Sequence, residues 1–196
     1  MASTRANSAV DIAARALTLI GANPISSFSD VSTEALIANN MYEDVAQASL
    51  CQTRWRFATN QAVLNQLTNE PTGRFSVAHQ LPVDSIMVHA ITVSDLLIIY
   101  SIYGDKVFSD ASTTDELVVD YSFRADEITW PSYFTLAVEY QLAAIFASSI
   151  ARDDTLTQVM EAKAERLMAK ARNLDSQQQT TRKLVTNRFK NERLST

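Results

Sequence analysis

With 196 residues, 46% of them apolar and 20% charged, the chain has material for one large domain or a body with an insert, which excludes a disordered or low-complexity protein. Three glycines are too few for a phosphate-cradling loop, and a single Cys51 without Cys/His ligand spacing excludes an internal disulfide and a structural zinc site. The net charge of −5 is uneven: from Ser176 to Thr196 five basic residues stand against Glu192, giving +4, so the remainder carries −9.

Ser8 is a suitable cap for a first helix reaching Ile20, with Asp11 placed to favour the helix dipole and Val10, Ala13, Ala14, Leu17 and Ile20 forming one apolar stripe. Gly21 ends it and Pro24 prevents continuation. A second helix is expected from near Ser32 to about Cys51, with Ile37, Met41, Val45 and Ala48 on its inward face and Leu36 and Leu50 flanking. Trp55 and Phe57 then sit among Arg54 and Arg56, and read as aromatics closing a helical core rather than as a base-stacking platform.

After the turn cluster of Asn69, Pro71 and Gly73 the period changes to two. Phe75, Val77 and His79 share one strand face; Ile86, Val88 and Ala90 another; Leu117, Val119 and Tyr121 a third. Between them Leu96 to Tyr103 reads as an apolar strand, and Tyr103-Gly104-Asp105 as a hairpin turn into Lys106-Val107-Phe108. Four or five antiparallel strands are expected between about Arg74 and Arg124.

Pro131 opens a third helix, whose Ala- and Ser-rich apolar stretch from Leu142 to Ile150 should make it the most buried. Arg152-Asp153-Asp154 forms a turn in which Asp154 caps a fourth helix, with Leu156, Met160, Ala164, Leu167, Ala171 and Leu174 inward. The pattern as a whole is α+β. It comprises an antiparallel bundle of about four helices (1–67 and 131–175), an inserted antiparallel β-domain (68–130) and an extended basic arm (176–196). Met1 to Asp11 carries no signal-peptide core, and the longest apolar runs fall short of the ~20 residues that span a bilayer. The expectation is a soluble chain made in the cytoplasm, with no membrane partner.

Catalytic candidates are thin. His79 and His89 lie in alternating strands with no nucleophile motif beside them, and read as structural. Asp153-Asp154 is explained as a helix cap, and the acids from Asp110 to Glu127 lack calcium-loop spacing. Arg54 and Arg56 could lower the Cys51 pKa, although a buried thiol at a helix end accounts for it better. No catalytic, cofactor or metal site is expected, and the chain is read as a non-enzyme. An acidic body also disfavours nucleic-acid binding.

An ordered series of marks points further. Ile20 to Ile25 reads Ile-Gly-Ala-Asn-Pro-Ile, Trp55 to Ala58 reads Trp-Arg-Phe-Ala, and Gln80 to Asp84 reads Gln-Leu-Pro-Val-Asp. Tyr103 to Asp105, Val119 to Tyr121 (Val-Asp-Tyr), Trp130 to Phe134 (Trp-Pro-Ser-Tyr-Phe) and Leu142 to Ala147 (Leu-Ala-Ala-Ile-Phe-Ala) follow in order. Over roughly Ser8 to Leu174 the sequence resembles the tail tubular protein A family, the head-to-tail adaptors of short-tailed bacteriophages. The resemblance implies a homo-oligomeric, twelve-membered virion ring joining the portal protein to the tail nozzle (tail tubular protein B). Tail fibres would dock nearby, and genomic DNA would pass through as cargo. It also implies a C-terminal arm clasping the portal, here Arg182, Lys183, Arg188, Phe189, Lys190, Arg193 and Leu194. The Leu96 to Tyr103 strand departs from the family in being more apolar. A long-tailed phage connector shares the helical body but normally lacks so large a β-insert. A cell-wall glycan hydrolase would need two carboxylates at catalytic separation, such as Asp84 with Glu116. A host regulatory module binding a partner helix is a further class.

Overall fold

A computed structural model describes residues 6–68 and 73–178. The fold is mixed α+β, with four α-helices and two antiparallel four-stranded sheets. Helix α1 (Ala9–Leu19) begins where expected, the Ser8 hydroxyl accepting from the Asp11 backbone N–H at 3.2 Å. Helix α2 (Thr33–Cys51) is capped by Ser32 in the same way. Its inward face is not the one expected: Ala35, Ala38, Tyr42, Ala46, Ser49 and Leu50 are buried, while Ile37, Met41 and Val45 are half-buried and Ala48 is exposed. Small residues win the centre because they let α2 approach its neighbours closely, and the larger aliphatics pack at the margin.

The third helix, α3 (Ser132–Phe146), starts one residue after Pro131 and continues as a π-turn over Ala147–Ala151. It is the most buried helix, and α1, α2 and α4 (Asp154–Ser176) all pack against it. Ser132–Ala151 is long and apolar enough to cross a membrane by length and composition, contrary to the sequence reading of short apolar runs, yet here it is the central helix of the body. Helix α4 is capped by Asp153, whose carboxylate accepts from the Leu156 N–H at 2.9 Å, and not by Asp154. Arg152 takes the left-handed conformation that makes this turn. Met160, Ala164, Met168, Ala171 and Asp175 face inward, with Leu167 at the margin and Leu174 exposed.

Among the described residues there are eight strand segments, six of them in the stretch where four or five were expected: β1 (Thr59–Val63), β2 (Asn65–Gln66), β3 (Val77–Gln80), β4 (Ser85–Val93), β5 (Leu96–Leu97), β6 (Tyr100–Tyr103), β7 (Lys106–Ser109) and β8 (Leu117–Phe123). The sheet orders are β1-β8-β4-β5 and β2-β3-β7-β6. Residues 59–66 and 96–103 are therefore two bent strands, each passing from one sheet into the other, so the sheets are joined along both sides. The β-unit begins at Thr59 rather than at 68. The polar segment Thr-Asn-Gln-Ala-Val at its start lacks the alternation that betrays a strand, because as an edge it pairs only with β8.

Two apolar cores result. The helical core includes Trp55, Trp130, Phe134 and Phe146; the β-core includes Leu64, Leu81, Ile91, Val107, Leu117, Val119 and Tyr121, and Phe123 packs against both. Trp55 and Phe134 meet edge-on at 4.9 Å, and Trp130 meets Phe134 from another side at 4.9 Å. Trp55 thus serves as the closing core aromatic expected of it.

Candidate interfaces on the β-unit and at the arm exit

The β-unit carries apolar side chains that its own core does not cover. The β4–β5 hairpin turns at Ser94 and Asp95, both with positive φ (49° and 64°), as a type I′ turn requires. That turn was not read from the sequence, since neither residue is Gly or Asn. It displays Leu96 and Leu97, and the chain then exposes Ile99 at 92% while Ile98 and Tyr100 turn inward onto the β-core. The apolar run is therefore two short strands split between two sheets, with its outward residues in water. The β6–β7 hairpin is the expected one, Tyr103 pairing with Lys106 across Gly104 (φ 62°) and Asp105.

Where β4 parts from β6 a groove of about 430 Å³ opens, its lining mixed: Leu81, Met87 and Ile102 stand beside the polar Gln80, Ser85 and Asp105. It exists because β4 pairs with β5 only at Thr92 and Val93, and register shifts between Ser85 and Met87 and between Val88 and Ala90 bend it away from β6. Val83 on its rim is fully exposed. Beside it Phe75, Tyr103 and Phe108 form an aromatic cluster with centroid spacings of 5.6–6.5 Å, and the Arg74 guanidinium lies 5.5 Å from the Phe75 ring.

The body holds the β-unit through Arg124. Its guanidinium donates to both oxygens of Glu43 on α2, at 2.8 and 3.0 Å, and to Glu127 and the Ala125 carbonyl. Burial pushes its pKa down, but the hydrogen bonds it donates to Glu43 and Glu127 outweigh that and hold it above the usual value. The Tyr42 hydroxyl donates to Glu127 at 3.0 Å; burial, then the Glu127 charge, keep this phenol protonated well above its ordinary range.

The end of α4 is fastened too. Asp175, buried in the last turn, accepts from the Arg56 backbone N–H at 3.1 Å and from the Tyr133 hydroxyl at 2.9 Å, while Arg56 Nε donates to the Asp175 carbonyl at 3.1 Å. Arg56 thus supplies the cation that the helix C-terminus favours and that α4 lacks in its own last turn. Burial and the hydrogen bond to Asp175 push Tyr133 up to about 12. Gln178, the last described residue, donates its side-chain amide to the Tyr133 hydroxyl. The arm residues Arg182, Lys183, Arg188, Phe189, Lys190, Arg193 and Leu194 lie outside the described residues.

The catalytic candidates do not converge. His79 is buried in β3 and His89 meets the Ser122 hydroxyl at 2.8 Å; desolvation lowers both pKa values and favours neutral rings. Desolvation raises the Cys51 pKa, against any lowering by Arg54 or Arg56. Asp84 and Glu116 precede opposite ends of the β4–β8 ladder, in which Ser85 pairs with Phe123 and Val93 with Leu117. They are roughly 25 Å apart at strand rise, beyond the ~5–10 Å of a glycosidase pair. Among the described residues no cluster of three or more His, Cys, Asp or Glu could hold a metal ion. No protein-family model matches the chain, and no curated protein matches it.

Proposed function

We propose that this chain is a structural subunit of the head-to-tail adaptor ring of a short-tailed bacteriophage, joining the portal protein to the tail nozzle around the DNA channel. The observation that carries this reading is the exposed apolar side chains of the β-unit, Leu96, Leu97 and Ile99 after the β4–β5 hairpin and Val83 and Met87 near the start of β4. Apolar side chains left in water in such groups mark surfaces for another macromolecule. The ordered sequence marks supply the kind of assembly, and several coincide with structural pivots: the α1 stop at Gly21, Trp55 in the core, the turn at Gly104 and the start of α3 after Trp130.

In this reading the helical body is an antiparallel bundle, the β-unit faces neighbours and nozzle, and the basic arm beyond Gln178 reaches the portal from the clamp at Asp175. Arm ordering costs conformational entropy, which contacts made only on the portal offset. The acidic remainder of the chain lines a channel that DNA passes without sticking. The long-tailed connector is the weaker alternative, because a two-sheet β-unit is more than that body needs.

Deleting residues 179–196 tests the proposal. The truncated chain keeps the circular dichroism spectrum and melting temperature of the full chain but no longer attaches to portal-capped heads. Full attachment of the truncated chain would overturn the arm assignment.

A further inference from the structure

We infer that the β-core holds one ordered water molecule, bridging His79 Nδ1 and Ser109 Oγ. His79 is 2% exposed and Ser109 1%. Neither of these two atoms meets a hydrogen-bond partner among the described residues. Leaving a buried donor or acceptor unpaired costs its full desolvation, so each atom calls for a partner.

The strand register brings the two together. Across β3 and β7, Val77 pairs with Ser109 and His79 with Val107, and residues paired in an antiparallel ladder share a face. Val107 belongs to the β-core, so that face is the inner one. His79 and Ser109 are diagonal neighbours on it, at positions about 7–8 Å apart with the side chains nearer. Two hydrogen bonds of about 2.8 Å in series span a gap of about 5–6 Å, which suits one small molecule between them.

The chemistry of the two atoms selects the molecule. A hydroxyl and an imidazole nitrogen each donate or accept, and water answers either role. A metal ion would find only two neutral ligands, short of the four of a zinc site. An anion would find no charge, since burial lowers the His79 pKa and favours the neutral ring. Val77 and Val107 flank the pair along the ladder, and Tyr100 pairs with Ser109 from β6. Two polar atoms in an apolar enclosure are the setting in which a buried water is costly to remove. Nothing in this pair depends on the adaptor reading above.

A crystal structure of the full chain tests the site directly: one density peak should stand about 2.7–3.2 Å from both atoms. No density between them, a direct His79–Ser109 bond, or an imidazole turned over so that Nδ1 meets another protein group would each overturn the inference. In solution, Ser109→Ala and His79→Leu each remove one end of the bridge, and urea unfolding reads their effect on the folding equilibrium constant. The double variant should lose roughly tenfold less than the product of the two single losses, because the second change removes a bridge already broken. Single losses that simply multiply would show two independent atoms and count equally against the water.

Discussion

Replacing Arg124 by Met tests how the β-unit is held to the helical body. Arg124 is three-quarters buried and meets two carboxylates of different exposure, Glu43 at 51% and Glu127 at 16%. Losing one partner of a buried ion pair costs about 3–5 kcal/mol, and of an exposed pair about 0–1. Glu127 lies near the first case and keeps the Tyr42 hydrogen bond; Glu43 lies near the second. The expected loss is about 2–3 kcal/mol, or roughly 5–10 °C in melting temperature for a chain of this size. Thermal and urea unfolding followed by circular dichroism at pH 7 reads it directly. Adding Glu127→Gln to Arg124→Met removes the stranded charge and should restore more than about 1 kcal/mol. A single-variant loss below about 1 kcal/mol, or a double variant no better than the single, would refute the idea that this node couples the two cores. The pH dependence is fixed in sign. The hydrogen bond from Arg124 holds the Glu43 pKa below its usual 4.5, so this contribution is full above 4.5 and disappears as pH falls through the depressed folded value.

Glu139 should behave in the opposite sense. It is 5% exposed, its Oε1 lies 3.5 Å from Arg15 Nη1, and burial, opposed by the charge and hydrogen bond of Arg15, raises its pKa above 4.5. Stability held below pH 4.5 is lost as pH rises through the folded value, so Glu139→Gln should add about 1 kcal/mol at pH 7 and nothing near pH 4 in urea titrations; a loss at pH 7 would contradict this. Trp55→Ala empties the site against Phe134 and should cost about 3–5 kcal/mol, with a midpoint shift at unchanged denaturant slope. Ser94→Asn with Asp95→Gly suits the positive-φ turn and should stabilise the chain by about 1 kcal/mol; destabilisation in the same melt would show that the turn is not type I′.

What the sequence disclosed followed from how local each signal is. Ser8, Ser32, Gly21 and Gly104 act within a few residues of themselves, and each sits where local chemistry places it. The inward face of α2 depends on what packs against it: α3 lies against this helix, and Ala35, Ala38 and Ala46 are buried in place of the aliphatic stripe. Thr59–Val63 is polar because its pairing is one-sided, and Ser94-Asp95 makes a turn whose φ values its residue types only tolerate. Arg54, Arg56 and Arg124 were visible as charges, but their partners Asp120, Asp175 and Glu43 lie far away in sequence.

The apolar stretch from Leu96 to Tyr103 shows why the candidate surface was harder to read than the core. Hydropathy reports that a segment is to be kept from water; it is silent on which chain does the covering. Alternation within the stretch sends Ile98 and Tyr100 into the β-core and leaves Leu97 and Ile99 exposed, so one apolar run serves the interior with only half of its side chains. An outward aliphatic on a bent strand beside a bulged neighbour has no reason to persist in a lone monomer, where it invites non-specific association.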